Sequence, residues 1–431
     1  MSVIAGYRKA LAVVAVALFF TNVSNYTERF GVIPLAWIGL FAGMCVPVVV
    51  HGLFAHRVSI RPLVWWGGGY LLISLLWFYR SPQDAFAYEE VQTRVLAVIF
   101  LVLSLVVYGD ASAQRAGRVA IVWATVLAVG LNVYELFHPQ AFSTVLGRSA
   151  GLYGNSNQSA AALVLGLLLG YGVVPGRLRM PFVAVTALGI IPTFTRSGIL
   201  GWLLVVAFFM LRAGISLAQL RRVLVLAALV VGFIASPLWR SLERTLMDRG
   251  TLTLNVLNRL AFFRGGAATD ASANERQAVA AKAWELVGEQ PLRGHGTGAA
   301  LRIEGFEVGT HNMYLAMMVD HGFLVGILVV PLLLLATLWG ANRRTVDLTL
   351  PFGAFLAMWC LFSHNVLEER YILLAVGLTA SVVAVSARSA DAEAGRKVEG
   401  GGRTGEGSLT SSPSPRGRGK HRAPSLVPVG P

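Results

Sequence analysis

An all-α, polytopic integral membrane protein of about twelve transmembrane helices is the fold class that this sequence predicts, and three observations predict it. Of 431 residues, 55% are hydrophobic and 13% charged, with a mean hydropathy of +0.64. An average soluble domain carries about 25% charged residues, so a water-soluble globule of this size is excluded. Apolar stretches of helical length recur up to about residue 387, and the arginines between them alternate as they do in oriented membrane proteins.

A bilayer core of about 30 Å takes about 20 helical residues to cross. On that scale the apolar stretches centre on 3–23, 33–54, 63–79, 94–109, 118–138, 159–174, 180–195, 197–212, 221–239, 311–341, 349–364 and 370–387. The first has Arg8 and Lys9 ahead of the run Ala10 to Phe20, the layout of a signal peptide. No small-x-small cleavage site follows and further spans do, so it reads as an uncleaved anchor. One set of connections holds thirteen arginines and lysines, among them Arg57, Arg61, Arg115, Arg118, Arg343 and Arg344. The alternate set holds six: Arg29, Arg80, Arg94, Arg148, Arg196 and Arg370. By the positive-inside rule both termini are cytoplasmic and the second set lies outside. Cys45 and Cys360 sit in apolar runs, which predicts neither a disulfide framework nor zinc.

One connection is long. Residues 237–310 form a large helical outer loop, in which Ser272-Ala273-Asn274-Glu275 fits a capping box. Val279, Ala280, Ala283, Trp284 and Val287 follow at helical spacing until Gly288 and Pro291 stop the helix. Leu252, Val256, Leu257, Leu260 and Phe263 predict a second helix, lying on the membrane surface. From Arg388 to Pro431 the composition turns to Gly, Ser, Pro and Arg, predicting a disordered basic cytoplasmic tail. Most of the formal charge of +14 is therefore topology plus tail, and no nucleic-acid partner is implied.

Five polar constellations fall on the outer side, and the inner loops show nothing comparable. Thr193-Phe194-Thr195-Arg196-Ser197 joins two short apolar stretches, which recesses Arg196 below the surface, where an arginine is costly unless it has a partner or a wet cavity. His311-Asn312 opens a span, where a helix N-terminus favours anions and holds an imidazole neutral; an Asn cap after an incidental histidine is the other reading. Gly151 to Ser159 carries Asn155 and Asn157, suited either to sugar hydroxyls or to helix capping. Pro291 to Gly298, with Arg293 and His295, is either a phosphate cradle or a loop after a helix stop. His364 to Arg370 fills the last outer connection, as a ligand contact or as interfacial capping. Arginines hold phosphates through bidentate bonds and a neutral histidine accepts a proton. The set suits displacement of a diphosphate by an alcohol, with no Asp-x-Asp pair for a metal and no cofactor implied.

Over residues 150–380 the sequence resembles the O-antigen ligase and O-antigen polymerase-like superfamily of bacterial membrane glycosyltransferases. His311-Asn312, nine residues and then Gly322-Phe323-Leu324-Val325 resembles the ligase histidine pattern. Thr195-Arg196-Ser197-Gly198 resembles the family's Ser/Thr-Arg element, and Gly154-Asn155-Ser156-Asn157 a polar element before a family span. Glu275-Arg276, Trp284, Pro291 and Gly294-His295-Gly296-Thr297-Gly298 resembles its outer-loop run. The resemblance implies a GT-C-like fold in the bacterial inner membrane and inverting, metal-independent transfer of a glycan from an undecaprenyl-diphosphate carrier, on the periplasmic face. It implies Arg196 and Arg276 as the diphosphate clamp and His311 as the base; Asn312, Asn155, Asn157, Arg293, His364 and Arg370 are the candidate substrate-binding residues beside them. The acceptor is lipid A–core sugar in a ligase, another lipid-linked repeat in a polymerase and a Ser or Thr hydroxyl in a protein glycosylase; the ligase-like histidine spacing favours the first. A polysaccharide exporter or flippase, and a non-catalytic lipid-glycan binding protein, are the competing classes. The exporter reading requires polar groups near the midplane in broken helices.

Overall fold

In an apolar medium every backbone N–H and C=O must be satisfied within its own segment, so long runs of Leu, Val, Ala and Phe become helices. The computed structural model describes residues 3–54, 62–145, 147–212, 218, 221, 237–248, 271–303, 306 and 309–402, and these contain helices and turns but no strand. The chain divides into two units, Met1–Ala387 and Arg388–Pro431, and the bundle is the first.

The helices are α1 (Val3–Ala15, continued by a π-helical turn Val16–Phe20), α2 (Pro34–Phe54), α3 (Pro62–Phe78), α4 (Ala85–Val107) and α5 (Ala111–Phe137). There follow α6 (Ser156–Tyr171), α7 (Gly176–Ile190), α8 (Arg196–Arg212), α9 (Pro237–Asp248) and α10 (Ala271–Glu289). The last four are α11 (Met313–His321), α12 (Phe323–Leu338), α13 (Val346–Trp359) and α14 (Arg370–Gly402). A helix that is apolar all round belongs inside a bundle. α6 meets that description, with every residue buried except Asn157 and Gln158. It packs against α5, α7, α8 and α13. The first turns of α14 are buried, from Tyr371 to Leu378, and Gln114 Nε2 of α5 donates to Ser381 O at 2.9 Å. Cys45 and Cys360 are buried free thiols.

Five helical stretches among the described residues are long and apolar enough to cross a bilayer: Val3–Phe20, Pro34–Gly52, Ala85–Val107, Ala111–Phe137 and Arg370–Ala390. Shorter apolar helices stand at Pro62–Phe78, Phe323–Leu338 and Val346–Trp359. The stretch 311–341, expected as one span, is two helices. Gly322 breaks it in a left-handed conformation (φ 85°), and a Cβ there would lie 2.6 Å from the Leu292 carbonyl carbon. The stretch 94–109 also begins earlier than expected. Asp84 caps α4 by accepting the Ala87 N–H at 3.0 Å, so the helix has two polar turns before its apolar run. Arg94 is consequently no connection residue but lies nine positions inside a helix, about 14 Å from its start at 1.5 Å per residue.

In the long connection before α11, α10 forms where the spacing put it and ends at Glu289. Val279, Ala283 and Val287 make the buried stripe against Leu315, Ala316 and Val319 of α11, while Trp284 is 52% exposed. The surface helix expected over 252–263 lies outside the described residues, as does most of 221–239. Residues 388–402, expected to open the disordered tail, are helical. Ala, Glu, Arg and Lys are strong helix formers and dominate Ala390 to Glu399. The remainder, 403–431, lies outside the described residues.

Candidate active site

At a helix N-terminus the first N–H groups lack intrahelical partners, and an Asn side chain can supply one. Asn312 does so for α11, its Oδ1 accepting the Leu315 N–H at 3.2 Å. The preceding residue must then leave the helix sharply, and His311 takes a left-handed backbone (φ 51°). The turn is fastened on both sides: Thr310 Oγ1 donates to Asn312 O at 3.0 Å, and Met313 N–H donates to Cys360 O at 2.7 Å. That last bond joins the histidine turn to the connection after α13. There His364 meets His311 edge to face, with ring centroids 5.5 Å apart. Gly309 makes room for the His364 ring, since a Cβ would lie 2.6 Å from its Nε2.

The His311 imidazole is pushed down to about 4, chiefly by burial and then by the charges of Arg276 and His364. It is therefore neutral at pH 7. The same cause reveals proximity: Arg276, exposed on α10, is near enough to act on His311. Burial also lowers His364, with Glu90 pulling the other way. Its Nδ1 is buried with no hydrogen-bond partner among the described residues.

A second corner forms between α5, α6 and the α7–α8 turn. Pro192 and the left-handed Phe194 (φ 48°) end a 3-10 turn, and Arg196 is the first residue of α8, half-buried. Arg148 braces this turn from beneath. It donates through Nε to Thr193 O at 3.0 Å and through Nη2 to Thr195 Oγ1 at 2.9 Å and Asn157 Oδ1 at 3.0 Å. Asn155 caps α6 by accepting the Asn157 N–H at 2.8 Å. Glu135 clamps the loop before it, with Oε2 accepting Ala150 N–H at 2.7 Å and Gly151 N–H at 3.0 Å. α8 packs on α13, where Gly201 faces Phe355, so Arg196 and the end of α13 stand at the same end of the bundle.

The last connection ties the two corners. Glu369 Oε1 accepts from Gln158 Nε2 of α6 and from Asn365 Nδ2 at 2.9 Å. Burial raises the Glu369 carboxyl to about 7, against the lowering effect of Arg370 and the Gln158 bond. Burial and the charges of Glu90 and Glu369 raise Glu368 as well. Arg370 reaches across to Asn25 Oδ1 at 3.0 Å.

The Gly-rich run is no open phosphate cradle, because its amides are already used. His295 N–H donates to Val319 O at 2.8 Å, Gly296 N–H to Asp320 O at 3.0 Å, and Gly298 N–H to Asp320 Oδ2 at 3.2 Å. The glycines serve close packing: a Cβ on Gly296 (φ 99°) would lie 2.7 Å from Ser81 Cβ. Arg293 is exposed, and its carbonyl accepts the Trp77 indole N–H. His295 Nε2 sits 2.8 Å from Leu286 O, at the end of α10.

The structure thus gathers Arg276, His311, Asn312 and His364, and sets Asn155, Asn157 and Arg196 in a second group joined to them through Glu369 and α13. Sequence reasoning placed Arg148 on the outer side without a task and gave none to Glu369. It also missed a buried cluster of Glu90, Arg94, Asp320 and His321. The readable signal was a pair of ionisable residues, Asp320 and His321, interrupting an apolar run.

Residues 181–330 match the family model described as O-antigen ligase, which supports membership of the O-antigen ligase-like superfamily. That region includes Arg196, Arg276 and His311. No curated protein and no solved structure matches the chain.

Proposed function

We propose that this chain, a membrane protein of the O-antigen ligase-like superfamily, transfers a glycan from an undecaprenyl-diphosphate carrier to a hydroxyl acceptor at the outer face of the bacterial inner membrane, in the manner of a ligase. The observation that carries the reading is the neutral imidazole of His311, held off a helix N-terminus beside Arg276 and His364. A neutral imidazole accepts the proton of an attacking hydroxyl. The acceptor oxygen bonds to the anomeric carbon on the face opposite the diphosphate, which leaves with the electron pair of the broken carbon–oxygen bond and inverts the centre. Arg196 and Arg276 stabilise the charge that develops there, and their fixed cations do so without a metal ion.

The donor also tunes the base. His311 is kept weakly basic in part by the Arg276 charge. A bound diphosphate offsets that charge and draws the imidazole back toward its ordinary range. Deprotonation therefore becomes favourable when the leaving group is in place.

The reading is tested by expressing His311→Ala and Arg196→Ala in a deletion strain and analysing surface glycans and lipid-linked glycans. Transfer stops and the donor accumulates if the reading is right. Accumulation of undivided repeats on the carrier would assign a polymerase, and of finished chains a ligase. Wild-type surface glycans from both variants would overturn the catalytic assignment and favour an exporter.

A further inference from the structure

Arg94 lies in the middle of α4 and is 2% exposed. Its guanidinium uses every face. Nε donates to Glu90 Oε1 at 2.7 Å, Nη2 to Asp320 Oδ2 at 2.5 Å, and Nη1 to Ser74 Oγ at 3.2 Å and His321 Nε2 at 2.7 Å. Asp320 in turn accepts the Ala300 N–H at 3.0 Å and the Gly298 N–H. One side chain therefore joins α3, α4, the loop after α10 and the end of α11. Such a cluster is an expensive way to hold helices together, because well-packed apolar residues stabilise at least as well. What fixed hydrogen-bond directions add is a single geometry.

The element whose geometry they fix is α11. It is a strut of nine residues, with Asp320 and His321 at one end and Asn312 and His311 at the other. Its far side rests on Val279 and Ala283 of α10, the helix that carries Arg276. We propose that Arg94 is a positioning residue for glycan transfer, clamping the far end of α11 so that His311 is held in line with Arg276 and the reacting hydroxyl. The inference rests on His311 being the base.

The test uses the full-length protein in detergent or liposomes with a lipid-linked donor, comparing Arg94→Gln, Arg94→Lys, Asp320→Asn and His311→Ala. Donor-binding capacity per mole of protein normalises for correctly folded enzyme. Misplacing a reacting group by about 1 Å costs about 100-fold. We expect Arg94→Gln and Asp320→Asn to lose about 10- to 100-fold in kcat with KM for the donor unchanged, and Arg94→Lys to recover part of that loss. Asp320→Asn keeps volume and reads the same contact if Arg94→Gln does not insert. Full kcat in Arg94→Gln and Asp320→Asn, with His311→Ala inactive, would overturn the positioning role and leave the base in place. A loss confined to donor binding would overturn it too, by making the cluster part of folding or of the donor site. Activity retained in His311→Ala would overturn the base and this inference together.

Discussion

At the scale of the residue, the unusual feature is a histidine whose proton affinity is set by its neighbours. His311 is held to about 4 by burial, Arg276 and His364. With His311 as the proposed base the neutral form is the active one, so activity should be lost as pH falls through the governing value and be flat above it. The kcat/KM profile reports free enzyme and kcat the donor complex. The acid limb of kcat/KM should therefore lie near 4, and that of kcat at higher pH, where a diphosphate bound as proposed offsets Arg276. Coincident limbs in pH–rate measurements would remove the coupling. Glu369 has the opposite character. Its carboxyl rises to about 7 from an ordinary 4.5, so its contribution to stability is full below 4.5 and is lost as pH rises through 7. Thermal unfolding of Glu369→Gln should show a shallower decline between those values than the wild type. His311 and Arg196 were legible because polar residues beside apolar runs demand a reason. Arg94 was not, since a hydropathy window begins where the apolar run begins, ten residues after Asp84 starts the helix.

At the scale of the element, the Gly-rich loop and α11 act together. Gly296 has a left-handed backbone and no room for a Cβ against Ser81, while Gly322 has the same constraint against Leu292. Gly296→Ala should cost about 1–3 kcal/mol from backbone strain alone, with the packing overlap added. Lower thermal stability of the purified protein, with the loop at Trp77 more open to proteolysis, is the expected readout. α10 was legible in its period and stop signals, because its apolar stripe is confined to the face that packs on α11. The break between α11 and α12 was hidden: Met313 to Leu338 is apolar on average across it. Only the adjacency of Asp320, His321 and Gly322 marked the place. A broken helix with buried charges is also the feature that an exporter would need. Here the break points its polar end at the loop carrying Arg276, and its carboxylate is occupied by Arg94 and two amides.

At the scale of the whole molecule, the arginine alternation predicts that Gly340 to Thr345 faces the cytoplasm and Pro139 to Gly147 the outside. Single cysteines in the two turns, in a background lacking Cys45 and Cys360, should react with an impermeant thiol reagent only at the second. The bundle itself was legible as class and sequence of helices, not as twelve equal crossings. Helices as short as the fifteen residues of α7 cannot be ranked as spans by hydropathy alone. The Arg94–Asp320 pair also has a consequence during biosynthesis. The partners are 226 residues apart, so at about 5–20 residues per second the arginine waits roughly 10–45 s for its carboxylate to be made. Until then Glu90, four residues earlier on α4, is the carboxylate that Arg94 has to pair with. Chains truncated before Asp320 should be short-lived in the cell, cleared by membrane proteases because the Arg94–Glu90 pair is left without its tie to α11, even though every helix up to α10 is present.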